Sequence, residues 1–164
     1  MQIFYLSAPW TIGLCFAGWL IIQLGTALIC FKIPSKQFNS ESWLFQIYPW
    51  EKNGKLFSFL NVRHWKHLLP DGAAIMKGGY RKKNLTDYSP KNLDKFVVES
   101  CRAELTHLLA ILPFWIFGFI GPPIIIVFMF IYALAVNLPC IIVQRYNRPR
   151  IIALEKKLDE KNVI

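Results

Sequence analysis

Residues 105–143 read LTHLLAILPFWIFGFIGPPIIIVFMFIYALAVNLPCIIV, and this stretch contains no Asp, Glu, Lys or Arg. It is too long for one straight transmembrane helix, because about 20 helical residues cross a bilayer core. Gly121-Pro122-Pro123 interrupts it, and consecutive prolines remove two backbone donors and favour a turn. The stretch therefore predicts two apolar limbs, residues 105–120 and 124–143, joined by a hairpin tip.

The amino-terminal segment predicts another membrane span. Residues 1–31 carry no charge, and residues 9–31 are long enough to cross a bilayer as a helix. A cleaved signal peptide is less favoured, because no positive segment precedes the apolar run and no small-x-small site precedes Lys32. We therefore expect an all-α fold: a small polytopic membrane protein with about three transmembrane helices, forming a single membrane domain over residues 1–164.

The overall composition supports a membrane protein with basic parts outside the bilayer. Hydrophobic residues make up 54% of the 164 residues, charged residues only 18%, and the mean hydropathy is +0.34. The formal net charge is nevertheless +9, and charge is costly inside hydrocarbon. This combination excludes a disordered chain, a disulfide scaffold and most soluble enzymes of this size.

The distribution of charge predicts the topology. Residues 32–106 hold 13 Lys and Arg against seven Asp and Glu, and residues 144–164 hold six against three. By the positive-inside rule both segments are cytoplasmic, so the amino terminus and the hairpin tip face outward. The expected arrangement is an interfacial and cytoplasmic segment at 32–104 and a cytoplasmic tail at 144–164.

The middle segment mixes aromatic and basic side chains. Trp and Tyr favour the headgroup level of a bilayer, and the neighbouring cations favour anionic lipid. We therefore predict interfacial amphipathic helices here, and a nucleic-acid surface is disfavoured in a chain this apolar. The aromatic residues concerned are Trp43, Phe45, Tyr48, Trp50, Phe57, Phe59 and Trp65.

The four cysteines predict neither a disulfide framework nor a metal site. Cys15, Cys30, Cys101 and Cys140 lie in or beside the predicted spans, and none forms a CxxC pair. No Cys and His spacing suggests zinc. They are interpreted as small apolar side chains, and no metal or cofactor is expected.

Glu104 and His107 form the first candidate catalytic pair. They lie three residues apart where a helix enters the membrane, so they share one helix face. Ordinary interfacial residues satisfied by water and headgroups are the alternative. The functional interpretation makes His107 a general base that takes a proton from an attacking hydroxyl, with Glu104 orienting the imidazole.

Asn137 is the second candidate, because an amide inside a predicted span needs partners and usually faces protein. It lies six residues before Val143, about 9 Å deep at 1.5 Å per residue. The hairpin returns the chain to the side it left, which brings Asn137 back towards His107. We predict that Asn137 donates a hydrogen bond to a developing oxyanion.

The basic run after the last span has two interpretations. It is commonly a positive-inside signal alone, but a turn at Asn147-Arg148-Pro149-Arg150 would present guanidinium groups at headgroup level. Guanidinium forks bind phosphate or carboxylate well. Arg145, Asn147, Arg148 and Arg150 are therefore candidate substrate-binding residues.

A third cluster contains Trp65, His67 and Asp71. His67 and Asp71 resemble the His/Asp pairing of glycerolipid acyltransferases, but three residues separate them where that motif has four. A helix stop and turn at residues 69–72 is the plainer interpretation, with Trp65 at the interface. We treat these three residues as candidate substrate contacts.

Three stretches carry a resemblance to a known family. They are WKHLLPDG at 65–72, RAELTH at 102–107 and NLPCIIVQRYNRPR at 137–150. Together the sequence resembles the glycosyl-4,4'-diaponeurosporenoate acyltransferases of staphyloxanthin biosynthesis, over nearly the whole chain. No catalytic residues are transferred from the family, so the assignments above rest on chemistry.

The resemblance implies a bacterial cell-membrane enzyme that moves a fatty acyl group onto the sugar hydroxyl of a glycosylated carotenoid acid. The acyl donor would be a co-substrate such as acyl-CoA or acyl carrier protein, and other carotenoid-pathway enzymes are possible partners. Two alternatives stay open. The acceptor could be another membrane glycolipid, or the chain could be a non-catalytic scaffold of a lipid-modifying complex.

Overall fold

The structure is a computed structural model that describes residues 2–51, 53–69 and 87–162. In these ranges the chain is all-α, without strands, as predicted. The α-helices are α1 (Ala8–Lys32), α2 (Leu56–Phe59), α3 (Val62–Trp65), α4 (Pro90–Ile111) and α5 (Ile124–Asn162). The 3₁₀-helices lie at Ser35–Gln37, Pro49–Glu51, Lys66–Leu68 and Leu112–Phe119.

Helix α1 corresponds to the predicted span over residues 9–31. Pro9 lies in its first turn, where the missing N–H costs nothing. The helix ends at Lys32, and Ile33 is extended because Pro34 follows it. Its 25 residues extend about 37 Å at 1.5 Å per residue. Helix α1 is thus long and apolar enough to cross a membrane.

The limb predicted over residues 105–120 is not one α-helix. Helix α4 ends at Ile111, and residues Leu112–Phe119 form a 3₁₀-helix. Pro113 explains the change, because it has no N–H for the α-helical ladder and its ring clashes with the carbonyl four residues earlier. In the described part of the chain, two helices rather than three are long and apolar enough to span a membrane.

Helix α5 is the other candidate span, and it begins at Ile124 directly after the predicted turn at residues 121–123. It continues for 39 residues, far past the predicted boundary at Val143. The predicted turn at Asn147–Arg150 is therefore wrong. Pro149 costs one backbone hydrogen bond, about 3 kcal/mol, but it lies buried within the helix and packs there.

The contacts of the chain divide it into two compact units. The apolar unit comprises Met1–Ile33 and Glu104–Ile141, and the basic unit comprises Pro34–Ala103 and Ile142–Ile164. The apolar unit contains only two of the charged residues, Lys32 and Glu104. The predicted separation of charge from apolar surface is thus present in the fold, while one membrane domain over residues 1–164 stays a prediction.

The apolar unit is held by an aromatic core. Trp19 stacks on Phe117 with ring centroids 5.1 Å apart, and its Nε1 donates a hydrogen bond to Met129 Sδ at 3.2 Å. Gly18 permits this approach, since a Cβ there would lie 2.8 Å from the Phe117 ring. Most other large side chains of α1 are exposed, as expected for a surface covered by lipid.

The basic unit packs its short helices against the second half of α5. Phe57, Val62 and Tyr146 form one buried cluster of this unit, and Trp65 lies against them. Gly54 has a positive φ of 79°, and a Cβ there would lie 3.0 Å from Pro149 Cγ. Glycine is therefore required at this turn, because a side chain would be strained and would push against α5.

Candidate active site

The apolar unit places an imidazole directly against a buried amide. His107 on α4 and Asn137 on α5 meet with Nδ1 and Oδ1 2.9 Å apart. Asn137 is 0% exposed, whereas His107 is half-buried. The two residues are thirty positions apart in sequence, and the turn at residues 121–123 returns the chain so that they meet.

The hydrogen-bond network assigns the tautomer of His107. Asn137 Nδ2 donates to the carbonyl of Ala133 at 2.9 Å, so its Oδ1 is the atom that faces His107. An amide oxygen only accepts hydrogen bonds, so Nδ1 of His107 carries the hydrogen. In the neutral ring Nε2 then holds the lone pair, which is the arrangement that a general base needs.

Helix α1 contributes a residue that the sequence analysis missed. Gln23 Nε2 donates to Asn137 Oδ1 at 3.2 Å, so the same oxygen is bound by groups from α1 and α4. A single glutamine in the charge-free segment 9–31 has no neighbouring motif to mark it. The sequence feature that could have identified Gln23 is its position, since an amide in the middle of an apolar span needs a polar partner.

Glu104 lies one turn before His107 on α4 and is 1% exposed. Every buried side-chain nitrogen and oxygen in the described part of the chain has a hydrogen-bond partner, so this carboxyl group is satisfied. The sequence predicts that Glu104 orients the imidazole and that Asn137 stabilises an oxyanion. Both assignments stay predictions; the Nδ1 contact favours Asn137 for the orienting role.

In the basic unit, Arg145 is held by protein groups. Its Nη1 pairs with Glu51 Oε1 at 2.7 Å, and its Nη2 donates to the Leu44 carbonyl at 2.8 Å. Glu51 is 2% exposed, and its Oε2 also accepts the backbone N–H of Tyr48 at 3.0 Å. This pair fastens residues 44–51 to α5.

Arg148 is buried more deeply, with 1% of its surface exposed. Its Nη1 donates to the Phe45 carbonyl at 2.8 Å, and its Nε donates to Ser100 Oγ at 3.3 Å. The guanidinium also lies over the Phe45 ring. Its groups are thus directed at the protein rather than at open surface.

Arg150 and Asn147 are arranged differently. Arg150 is exposed and stacks on Tyr146 at 3.6 Å, with Nη2 donating to Ser58 Oγ at 3.2 Å. Asn147 Oδ1 accepts a hydrogen bond from Lys66 Nζ at 3.1 Å. The structure therefore brings two of the predicted binding residues together with a lysine that the sequence analysis did not select.

Two of the remaining predicted substrate contacts, Trp65 and His67, lie in the described residues. Trp65 Nε1 donates to the Leu60 carbonyl at 2.8 Å, and its ring lies against a buried cluster of the basic unit. His67 is exposed on the 3₁₀-helix Lys66–Leu68. Asp71 lies outside the described residues. The part of the chain that the structure describes has no group of three or more His, Cys, Asp or Glu arranged to hold a metal.

Comparison with known proteins matches one family model over most of the chain. Residues 41–157 match the model described as glycosyl-4,4'-diaponeurosporenoate acyltransferase. This range includes His107 and Asn137, whereas Gln23 precedes it.

Curated relatives of the same name are similar over nearly their full length. The protein of Staphylococcus aureus (strain Newman) is 38% identical over 148 residues, which are 90% of this chain and 89% of that protein. The proteins of strains bovine RF122 / ET3-1 and MRSA252 are each 37% identical with the same coverage. No solved structure matches.

Proposed function

Because the chain belongs to the glycosyl-4,4'-diaponeurosporenoate acyltransferase family and is therefore an acyltransferase, we propose that it acylates a glycosylated carotenoid acid. The acceptor group is a sugar hydroxyl of glycosyl-4,4'-diaponeurosporenoate, the compound in the name of its relatives. The reaction is the final step of staphyloxanthin-type biosynthesis. The observation that carries the chemistry is the contact between His107 Nδ1 and Asn137 Oδ1.

His107 acts as the general base in this proposal. Its Nε2 takes the proton of the sugar hydroxyl while the sugar oxygen bonds to the carbonyl carbon of an acyl thioester. The resulting tetrahedral intermediate collapses by breaking the carbon–sulfur bond. The leaving sulfur takes the proton back from His107, so the products are an ester and a free thiol of CoA or acyl carrier protein.

Asn137 positions the base, and Gln23 positions Asn137. The amide oxygen accepts from both residues, which holds the imidazole with Nε2 directed away from Asn137. Asn137 is fully buried. Its orienting role is compatible with this burial, because it acts through His107 and not through contact with the substrate. Glu104 adds a buried carboxyl group on the same face of α4, where a negative charge would stabilise the imidazolium.

The proposed location is the bacterial cell membrane. Helices α1 and α5 are long and apolar enough to cross it, and the 3₁₀-helix Leu112–Phe119 adds a further apolar segment before α5. The basic unit faces the cytoplasm by the positive-inside rule. Acyl thioesters are water-soluble at their carrier end, which suits a donor that arrives from that side.

The test uses purified full-length protein in zwitterionic lipid. It is supplied with an acyl-CoA or acylated carrier protein and with the glycosylated carotenoid acid, and products are identified by mass spectrometry. A mass increase of one acyl group on the carotenoid supports the proposal. Acylation only of a different glycolipid would change the acceptor, and no product with any donor would favour a non-catalytic scaffold.

Replacing Asn137 or Gln23 should lower the rate of acyl transfer without weakening substrate binding. Asn137→Leu removes the acceptor for His107 Nδ1, so we expect kcat to fall about 10- to 100-fold, part of the 10²–10⁴ that a positioned base contributes. Gln23→Leu should have a smaller effect, because Asn137 retains its bond to Ala133. Steady-state kinetics separates kcat from KM.

The conservative variant Asn137→Asp distinguishes orientation from structural damage, because a carboxylate oxygen still accepts from Nδ1. Its kcat should lie well above that of Asn137→Leu. The matched control for Gln23→Leu is Gln37→Leu, since Gln37 is exposed in the 3₁₀-helix after α1. Equal kcat in Asn137→Leu and the unmodified protein would remove Asn137 from the mechanism.

A further inference from the structure

Two cations of the basic unit share one tyrosine ring. Arg150 lies over the Tyr146 ring at 3.6 Å from its centroid, and Lys66 Nζ lies 5.4 Å from the same centroid. Within the described part of the chain, neither Lys66 nor Arg150 forms an ion pair with a carboxylate. This differs from Arg145, whose charge is balanced by Glu51 at 2.7 Å.

Neutral oxygens hold both side chains in place. Asn147 Oδ1 accepts from Lys66, Ser58 Oγ accepts from Arg150, and the Tyr146 carbonyl accepts from Arg150 Nη1. These acceptors fix the positions of the two cations but contribute no negative charge. The two side chains are therefore ordered in advance, which lowers the entropy that a ligand would have to remove.

The local charge is destabilising as it stands. Burial lowers the pKa of Lys66, and the nearby charges of Arg150 and Arg63 lower it further. A lowered lysine pKa means that the ammonium form is disfavoured where it lies. An anion that entered the cluster would offset both the burial and the mutual repulsion of the three cations.

A cavity elsewhere in the basic unit does not suit an anion. This cavity of about 450 Å³ is lined by Glu41, Asp94 and Glu155, with Lys156 as the only basic residue among its lining residues. Its carboxylates would repel a phosphate group. Lys66 and Arg150, by contrast, present two neighbouring positive charges, which fit a negatively charged ligand.

We infer that Lys66 and Arg150, with Arg63 beside them, form a phosphate-binding site of the basic unit. Lys66 is a compact point charge and Arg150 presents a planar fork, a combination that suits a phosphate with several acceptor oxygens. Two sources share this chemistry: the phosphates of a CoA-type acyl donor, an assignment that rests on the proposed function, and the headgroup phosphate of an anionic lipid.

Binding measurements without turnover test the site. Full-length protein in zwitterionic nanodiscs is titrated with CoA, with pantetheine, which lacks phosphate, and separately with phosphatidylglycerol. Lys66→Gln and Arg150→Gln should each weaken phosphate-dependent binding about tenfold or more, because each removes a charge-assisted hydrogen bond. Pantetheine should bind equally in all variants.

The matched control is Lys36→Gln, which makes the same charge change at an exposed lysine of the 3₁₀-helix Ser35–Gln37. Weakened CoA binding identifies the donor as the source, and weakened phosphatidylglycerol binding identifies the lipid. If Lys66→Gln and Arg150→Gln bind both ligands like the unmodified protein, the inference is overturned. Intact CoA binding without any product would instead contradict only the proposed reaction.

The site should also show a characteristic pH dependence. A phosphate binds the protonated form of Lys66, and the lowered pKa means that this form is lost at lower pH than in an ordinary lysine. Affinity for CoA should therefore decline at a lower pH than it would for a site built on an ordinary lysine, with Arg63, Arg150 and Tyr146 as the facing groups. Lys66→Arg should extend binding to higher pH; identical profiles would exclude Lys66 from the site.

Discussion

Replacing His107 by alanine is expected to reduce acyl transfer about 10²- to 10⁴-fold, the usual contribution of a positioned general base. The side chain is half-buried and contacts Asn137 through Nδ1, which is why the proposal assigns proton transfer to Nε2. The affinity for the substrates should change little, because the imidazole accepts the hydroxyl proton in the transition state and is not needed to hold the substrates before the reaction. The measurement is kcat on purified protein with saturating donor and acceptor.

Two comparisons make the His107 experiment specific. His64→Ala changes an exposed histidine that hydrogen bonds to Asn61, and it should retain the full rate. Added imidazole should partly restore the rate of His107→Ala, because it can occupy the space of the lost ring and accept the same proton. Full acylation by His107→Ala without imidazole would show that another group is the base.

The second large effect concerns stability rather than chemistry. Glu51→Ala should lower the free energy of unfolding by about 3–5 kcal/mol, because breaking a buried pair leaves an uncompensated charge. Glu51 is 2% exposed and binds both Arg145 and the backbone N–H of Tyr48. Thermal and denaturant unfolding in detergent would detect the loss.

The pair can be separated from its surroundings by a double-mutant cycle. Glu51→Leu with Arg145→Met should be less destabilised than either single variant, since no buried charge then lacks its partner. Glu41→Ala is the matched control at an exposed glutamate and should change stability by less than about 0.5 kcal/mol. Simple additivity of the two single changes would mean that Glu51 and Arg145 do not stabilise each other.

The same variants examine whether Arg145 binds substrate. Below the unfolding temperature, Arg145→Met in the Glu51→Leu background should show an unchanged KM for the donor if Arg145 serves only to hold residues 44–51. A raised KM would support the role that its position in the basic run suggested. Arg148 is expected to be structural for a related reason, because its guanidinium is buried and bound to Phe45 and Ser100.

Four prolines show where the local sequence is enough to explain a helix boundary and where it is not. Pro34 follows the end of α1 and Pro90 begins α4, because each proline acts through its own backbone and that of the preceding residue. Pro113 turns an expected span into a 3₁₀-helix, whereas Pro149 stays within α5. Whether a helix tolerates a proline depends on the packing around it, and Pro149 is buried.

The candidate site likewise contains one contact that the order of segments predicts and others that only the tertiary structure shows. His107 and Asn137 were paired from the hairpin alone, because a turn between two apolar limbs returns the chain to the same depth. Gln23 belongs to a helix that is 114 residues away in sequence from Asn137, and no local pattern connects them. Lys66 likewise gains its importance from Arg150 and Asn147 on α5, to which it is not adjacent in sequence.

Composition and order along the chain were enough to determine the all-α class, the charge-free segments 1–31 and 105–143, the turn at residues 121–123 and the likeness to one acyltransferase family. These properties depend on hydrophobicity and backbone chemistry, which act over a few neighbouring residues. The tertiary structure decided which polar groups are partners. It placed Glu51 against Arg145, Gln23 against Asn137 and Lys66 beside Arg150, because a buried donor or charge is satisfied by whichever group the fold brings within about 3 Å.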